Sequence, residues 1–203
     1  MSRKTNRPTG VRARIAAAAA RLMAEDGIDD FALAKRKAAR QLGAVDAQAL
    51  PANDEIEAEL RAYRALYQAE DHAQLIVELR EVALDAMRAL EKFTPYLTGP
   101  VLKGIAGPYA EIDLQLFPDS AKDVEIFLLD RNISFATHEA RRFSGDRAHA
   151  VSVLTLSWQG VPMRLSVFDP RDERVALKTS QAGRVMDRAG IAELGAMLRD
   201  ATR

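Results

Sequence analysis

Cysteine is missing from all 203 residues. Its absence excludes disulfides, thiolate metal sites and cysteine nucleophiles, and it suits a reducing compartment. Aromatic residues are scarce, at 6% with a single tryptophan, so the core must rest on Ala, Leu, Val and Ile. Long apolar runs are lacking too, since none approaches the roughly 18 residues that cross a bilayer. The apolar part of the N-terminal segment, IAAAAA before Arg21, is too short for a secretory signal. The N-terminus is Arg-rich and free of acids until Glu25, as a mitochondrial presequence also is. Its helical pattern runs on into a folded unit, so the expected location is cytoplasmic, with no membrane partner.

Net charge is zero but unevenly placed. Residues 1–40 hold ten Lys or Arg and four Asp or Glu, whereas residues 41–92 hold five and eleven. Complementary faces packed together account for this more simply than a basic arm for nucleic acid. What is present is ordinary for a folded protein: 48% hydrophobic and 29% charged residues.

The expected architecture is α+β: about four helices over residues 11–93, packed on a small mixed-sheet domain over residues 94–203. Residues 1–10 read as a flexible arm. From Val11 to Ala24 the apolar spacing is helical, with Gly27 as the terminator. A second helix spans Asp30 to Leu42, capped by Asp29 or Asp30, with Phe31, Leu33, Ala34 and Ala38 inward and Gly43 as its stop. Pro51, Asn53 and Asp54 open a third, on which Ile56, Leu60, Tyr63 and Tyr67 form an apolar stripe. A break near Asp71 begins the fourth.

The texture changes at Thr94-Pro95. Glu111 to Phe117 alternates as a strand does, and a helix capped by Asp119 or Ser120 follows. Another strand is expected from Ser134 to Phe143, then a turn at Gly145-Asp146. VSVLTLSW and VPMRLSVF form a hairpin about Gln159-Gly160. Trp158 packs that hairpin, and a last helix covers Arg188 to Ala201.

One stretch carries chemistry. Gly99 and Gly104 precede a strand headed by Glu111 and Asp113. Residues i and i+2 of a strand share a face, so the two carboxylates point the same way and repel unless a cation lies between them. Mg²⁺ with phosphate oxygens completing its shell is the usual solution. Glycines allow backbone N–H groups to approach phosphate.

Gly99-Pro100-Val101-Leu102-Lys103-Gly104 followed by Ala110-Glu111-Ile112-Asp113-Leu114 resembles the signature of the nucleotidyltransferase superfamily that includes DNA polymerase β. The resemblance covers residues 95–170. It implies a mixed-sheet domain that joins a nucleoside monophosphate from ATP or another NTP to an acceptor hydroxyl. Glu111 and Asp113 would bind Mg²⁺, and Gly99, Pro100, Lys103 and Gly104 would hold the nucleotide. The chain departs from the pattern at three places. Pro100 replaces a serine and has no N–H to offer. Glu111 replaces an aspartate. Arg164, in MRLSVF, stands where the third carboxylate falls. If its strand lies beside that of Glu111, the guanidinium reaches one or both carboxylates and takes the metal's space. An inactive nucleotide-binding or protein-interaction module is therefore the alternative reading. Asp169 is an off-register substitute for the third acid.

Other residues are weaker candidates. His72, His138 and His149 are scattered. Arg141, Arg142 and Lys178 could line a nucleotide site, but no motif selects them. Residues 15–44 are similar to the opening of the tetracycline-repressor family, which implies a DNA-binding regulator. The chain then continues VDAQALPANDEIEAEL, whose acids a phosphate backbone repels.

Overall fold

The computed structural model describes residues 10–44, 50–144, 147–175, 177–178 and 185–201. Apart from Gly10, the expected arm lies outside these residues, as does the turn at Gly145-Asp146. The chain divides into two compact units, Met1–Gln74 and Leu75–Arg203.

The first unit is helical: α1 (Gly10–Glu25), α2 (Phe31–Gln41) and α3 (Asn53–Tyr67). The Asp30 carboxylate accepts the Leu33 N–H at 2.8 Å and starts α2. The helix stops in a Schellman motif, with Ala44 N–H bonded to Ala39 O and Gly43 N–H to Arg40 O. Gly43 makes this stop because its φ is +66°. Glu55 accepts the Ala52 N–H at 2.6 Å and also pairs with Arg12 of α1 at 2.6 Å. Ile15, Ala19, Ala34, Ala38, Ile56 and Leu60 are fully buried.

Two inward assignments fail here. Leu33 is 46% exposed and Tyr67 67% exposed. On α3 the buried stripe continues in steps of four from Ile56 and Leu60 to Arg64, leaving Tyr67 outside. Apolar Leu33 lies one residue, about 100° of helix turn, from the buried row of Ala34 and Ala38. The break before the fourth helix falls at Gln68, so that Asp71 lies inside α4 (Ala69–Ala89).

In the second unit α4 is followed by β1 (Tyr96–Thr98), α5 (Gly99–Lys103), β2 (Ile112–Leu116), α6 (Ala121–Asp130) and β3 (Phe135–Ser144). Then come β4 (Arg147–Trp158), β5 (Val161–Val167), β6 (Leu177–Lys178), β7 (Arg188–Ala189) and α7 (Ile191–Ala201). The seven strands form one mixed sheet in the order β6-β3-β4-β5-β2-β1-β7. β2 and β5 run parallel; the other neighbours are antiparallel. Both edge strands are two residues long, and β6 covers β3 only at Phe143 and Ser144. The chain is thus α+β, with seven α-helices and seven strands among the described residues.

Alternation decides which face is buried. Leu97, Ile112, Leu114, Leu116, Leu154, Leu156, Met163, Leu165 and Val167 point to one face. There they join Ile76, Leu79, Ala83 and Met87 of α4, Val124, Phe127 and Leu128 of α6, and Leu194 of α7 in the main core. A smaller cluster of Phe117, Val151, Phe168 and Leu177 lies apart from it. The β4–β5 hairpin turns at Gln159 (φ +50°) and Gly160 (φ +83°), the φ signs of a type I′ turn. Trp158 packs there and donates from Nε1 to Asp85 at 2.9 Å.

The last helix begins three residues later than expected. Arg188 and Ala189 pair with Thr98 and Leu97 as an edge strand. Glu193 accepts the Gly190 N–H at 2.9 Å, and α7 starts only after that cap.

Candidate functional site

The central strands place the site. In the parallel β2–β5 pair, Asp113 is the register partner of Arg164. Thr98 of β1 lies opposite Asp113 on its other side, and Thr155 of β4 opposite Arg164. The row Thr98–Asp113–Arg164–Thr155 therefore crosses four strands on the face turned away from the main core.

Arg164 holds both acids. Its Nε donates to Asp113 Oδ1 at 2.6 Å, and Nη2 lies 2.6 Å from the same oxygen. Nη1 is 3.5 Å from Glu111 Oε2. The Asp113 side chain is 17% exposed, against 45% for Glu111. Burial pushes the Asp113 carboxyl above the ordinary carboxylate range, Arg164 pulls it back, and Glu111 adds to the rise. Arg142 of β3 is near enough to be felt, and it too lowers the Asp113 value. The Arg142 guanidinium is itself lowered, first by burial and then by Arg164. The sequence offered Arg142 only beside Arg141 and Lys178, with no motif to choose among them; the fold brings its charge within reach of Asp113.

The glycine stretch is one turn of helix. Pro100 occupies its first turn, Lys103 its last position. Gly104 closes it: Gly104 N–H bonds to Val101 O, and Ile105 N–H to Pro100 O. Arg80 of α4 donates to the carbonyls of Val101 and Leu102 at 3.2 and 2.8 Å. Gly99, at φ +75°, lies directly over the acid. A Cβ built there would stand 2.6 Å from Asp113 Oδ2. Gly99, Asp113, Glu111 and Arg164 are thus brought together. Gly104 acts as a helix stop, and Lys103 as the end of that helix.

Asp169, offered as a third acid, instead caps the short 3₁₀ turn Pro170–Arg174 by accepting the Arg171 N–H at 2.9 Å. Among the described residues no three His, Asp or Glu side chains are grouped as a metal site would need. Glu111 and Asp113 are the two oxygen donors on offer to a cation, and Arg164 already engages both. Nor is any described helix long and apolar enough to cross a membrane. His72 is bonded to Arg64 at 2.9 Å within the helical unit.

No protein-family model matches the chain, and neither a curated protein nor a solved structure is significantly similar to it.

Proposed function

We infer that this chain is a catalytically silent, metal-independent binding module on a nucleotidyltransferase-like scaffold. The observation that carries the reading is the hydrogen bond of Arg164 to Asp113 at 2.6 Å, with Glu111 at 3.5 Å from the same guanidinium. Mg²⁺ demands near-octahedral oxygen ligands at about 2.0–2.1 Å. Here Asp113 Oδ1 accepts from Arg164 Nε and lies 2.6 Å from Nη2, and the position of a third acid carries a positive charge. The residues present do not fit the ion. A guanidinium between two carboxylates supplies what the cation would supply, namely relief of their mutual repulsion. It cannot also bridge a triphosphate as a metal does.

The nucleotide remains the first ligand to test, since the resemblance of residues 95–170 points to it. ATP binding should be the same with EDTA as with excess Mg²⁺, and no nucleoside monophosphate should be transferred. Water-proton relaxation with Mn²⁺ gives the direct check. The wild type should show no saturable site, and Arg164→Asp should gain one. Stoichiometric Mn²⁺ binding by the wild type, lost in Asp113→Ala, would overturn the reading and restore the metal-dependent transferase.

A further inference from the structure

A second polar site lies along the same strand. Gln115 is two residues beyond Asp113 and 1% exposed. It is one of the residues around a cavity of about 230 Å³ that also takes in Arg174, Leu177, Val185, Met186 and Arg188. Two buried polar atoms of this lining have no hydrogen-bond partner among the described residues: Gln115 Oε1 and Arg188 Nη1. Buried polar groups are nearly always bonded, and exceptions mark strain, water or a missing ligand.

The orientation of each group is fixed by its other contacts. Gln115 Nε2 lies 3.9 Å from Met186 Sδ, a weak acceptor, which leaves the amide oxygen as the free atom. Arg188 stacks over the Tyr96 ring at 4.7 Å, and its Nη2 donates to the Glu173 carbonyl. Tyr96 in turn donates to the Glu173 carboxylate at 2.8 Å. The guanidinium is therefore held in place with both N–H groups of Nη1 unused.

We propose that this cavity binds a small organic anion, a 2-hydroxy or 2-amino carboxylate with a short apolar side chain. The carboxylate accepts from Arg188 Nη1 and is favoured by the charge of Arg174; no acid belongs to the described lining. The adjacent O–H or N–H donates to Gln115 Oε1. The apolar body rests on Leu177, Val185 and Met186. The volume is below the roughly 300 Å³ at which pockets for drug-sized ligands begin, so a metabolite of that kind fills it. This site is independent of the Arg164 reading and stands or falls without it.

Calorimetry on the full chain tests it with three probes: 2-hydroxy-4-methylpentanoate, 4-methylpentanoate and 2-hydroxy-4-methylpentanamide. The hydroxy acid should bind saturably at one site. Loss of its hydroxyl should weaken binding about tenfold, as one lost hydrogen bond would, and the uncharged amide should not bind. Gln115→Met should weaken the hydroxy acid about tenfold while leaving 4-methylpentanoate unchanged. Arg174→Gln, at an exposed position, should weaken both acids and leave folding intact, so the test does not depend on the buried variant. Absence of saturable binding by the hydroxy acid would overturn the proposal, as would equal binding of the amide or indifference to Arg174→Gln.

Discussion

At the scale of single residues, the balance at Asp113 is open to titration. Its native carboxyl lies above the ordinary range because burial outweighs Arg164. The native state then holds that proton more tightly than the unfolded chain does. The contribution of Asp113 to stability is greatest in acid and falls as pH rises from the ordinary carboxylate range through the raised native value. Arg164→Ala removes a group that holds the value down. It should push the Asp113 carboxyl higher and cost about 1–3 kcal/mol at neutral pH, less than for a fully buried pair because Arg164 is partly solvated. Carboxyl ¹³C NMR titration with urea unfolding at two pH values checks both; an unmoved titration would show that Arg164 does not act on Asp113. Glu111 and Asp113 were legible from their spacing, and Arg164 through the resemblance, which sets it at a motif position. Gln115 and Arg188 were not. Each is polar in a locally apolar or helix-like run, and only the fold shows that they meet.

At the scale of elements, Gly99 joins β1 to α5 under two constraints, a positive φ and contact with Asp113. Gly160 has the positive φ but open space around it. Gly160→Ala should therefore cost about 1 kcal/mol from backbone strain alone, and Gly99→Ala about 2–3 kcal/mol, because the new Cβ meets Asp113 Oδ2 on a carboxylate whose other oxygen, Oδ1, Arg164 holds. In the Arg164→Ala background the Gly99→Ala cost should shrink, as coupled neighbours are not additive. Equal costs for the two glycines, measured by chemical unfolding, would refute this. Helices with caps and stops were readable: Asp30, Ser120, Gly27 and Gly43 all lie where local hydrogen bonds end or begin an element. The two-residue strands were not, because their pairing comes from distant chain. Arg188 and Ala189 read as the first turn of a helix until Thr98 and Leu97 are beside them. The glycine stretch gave no helical signal, because a five-residue helix leaves too little periodicity to detect.

At the scale of the whole molecule, the two units differ in what they bury. The helical unit rests largely on alanines, with Ile15, Ile56 and Leu60 as its large fully buried side chains. The sheet unit buries Leu97, Ile112, Leu114, Leu116, Leu128, Leu154 and Met163 completely. Apolar area, at about 25 cal/mol per Å², favours the second. Hydrogen exchange should be slowest for the amides of β2, β4 and β5, with those of α2 at least about tenfold faster; the opposite order would contradict the packing. Composition foretold the alanine-rich helices, but not that the change of unit falls at Gln74, inside an uninterrupted helix.

The partial cover of β3 has a consequence for colloidal behaviour. From Phe135 to Arg142 its outer ladder has no strand partner among the described residues. An open ladder of this length is a template on which a second copy could add and a fibril could grow. Its sequence there is FATHEARR, with Glu139 and the adjacent Arg141 and Arg142 towards the end that β6 covers. Two cationic side chains beside each other resist stacking of identical edges in register, because every added copy would bring like charges together. The strand that lends Arg142 to the carboxylate site is, by the same residues, guarded against self-templated growth.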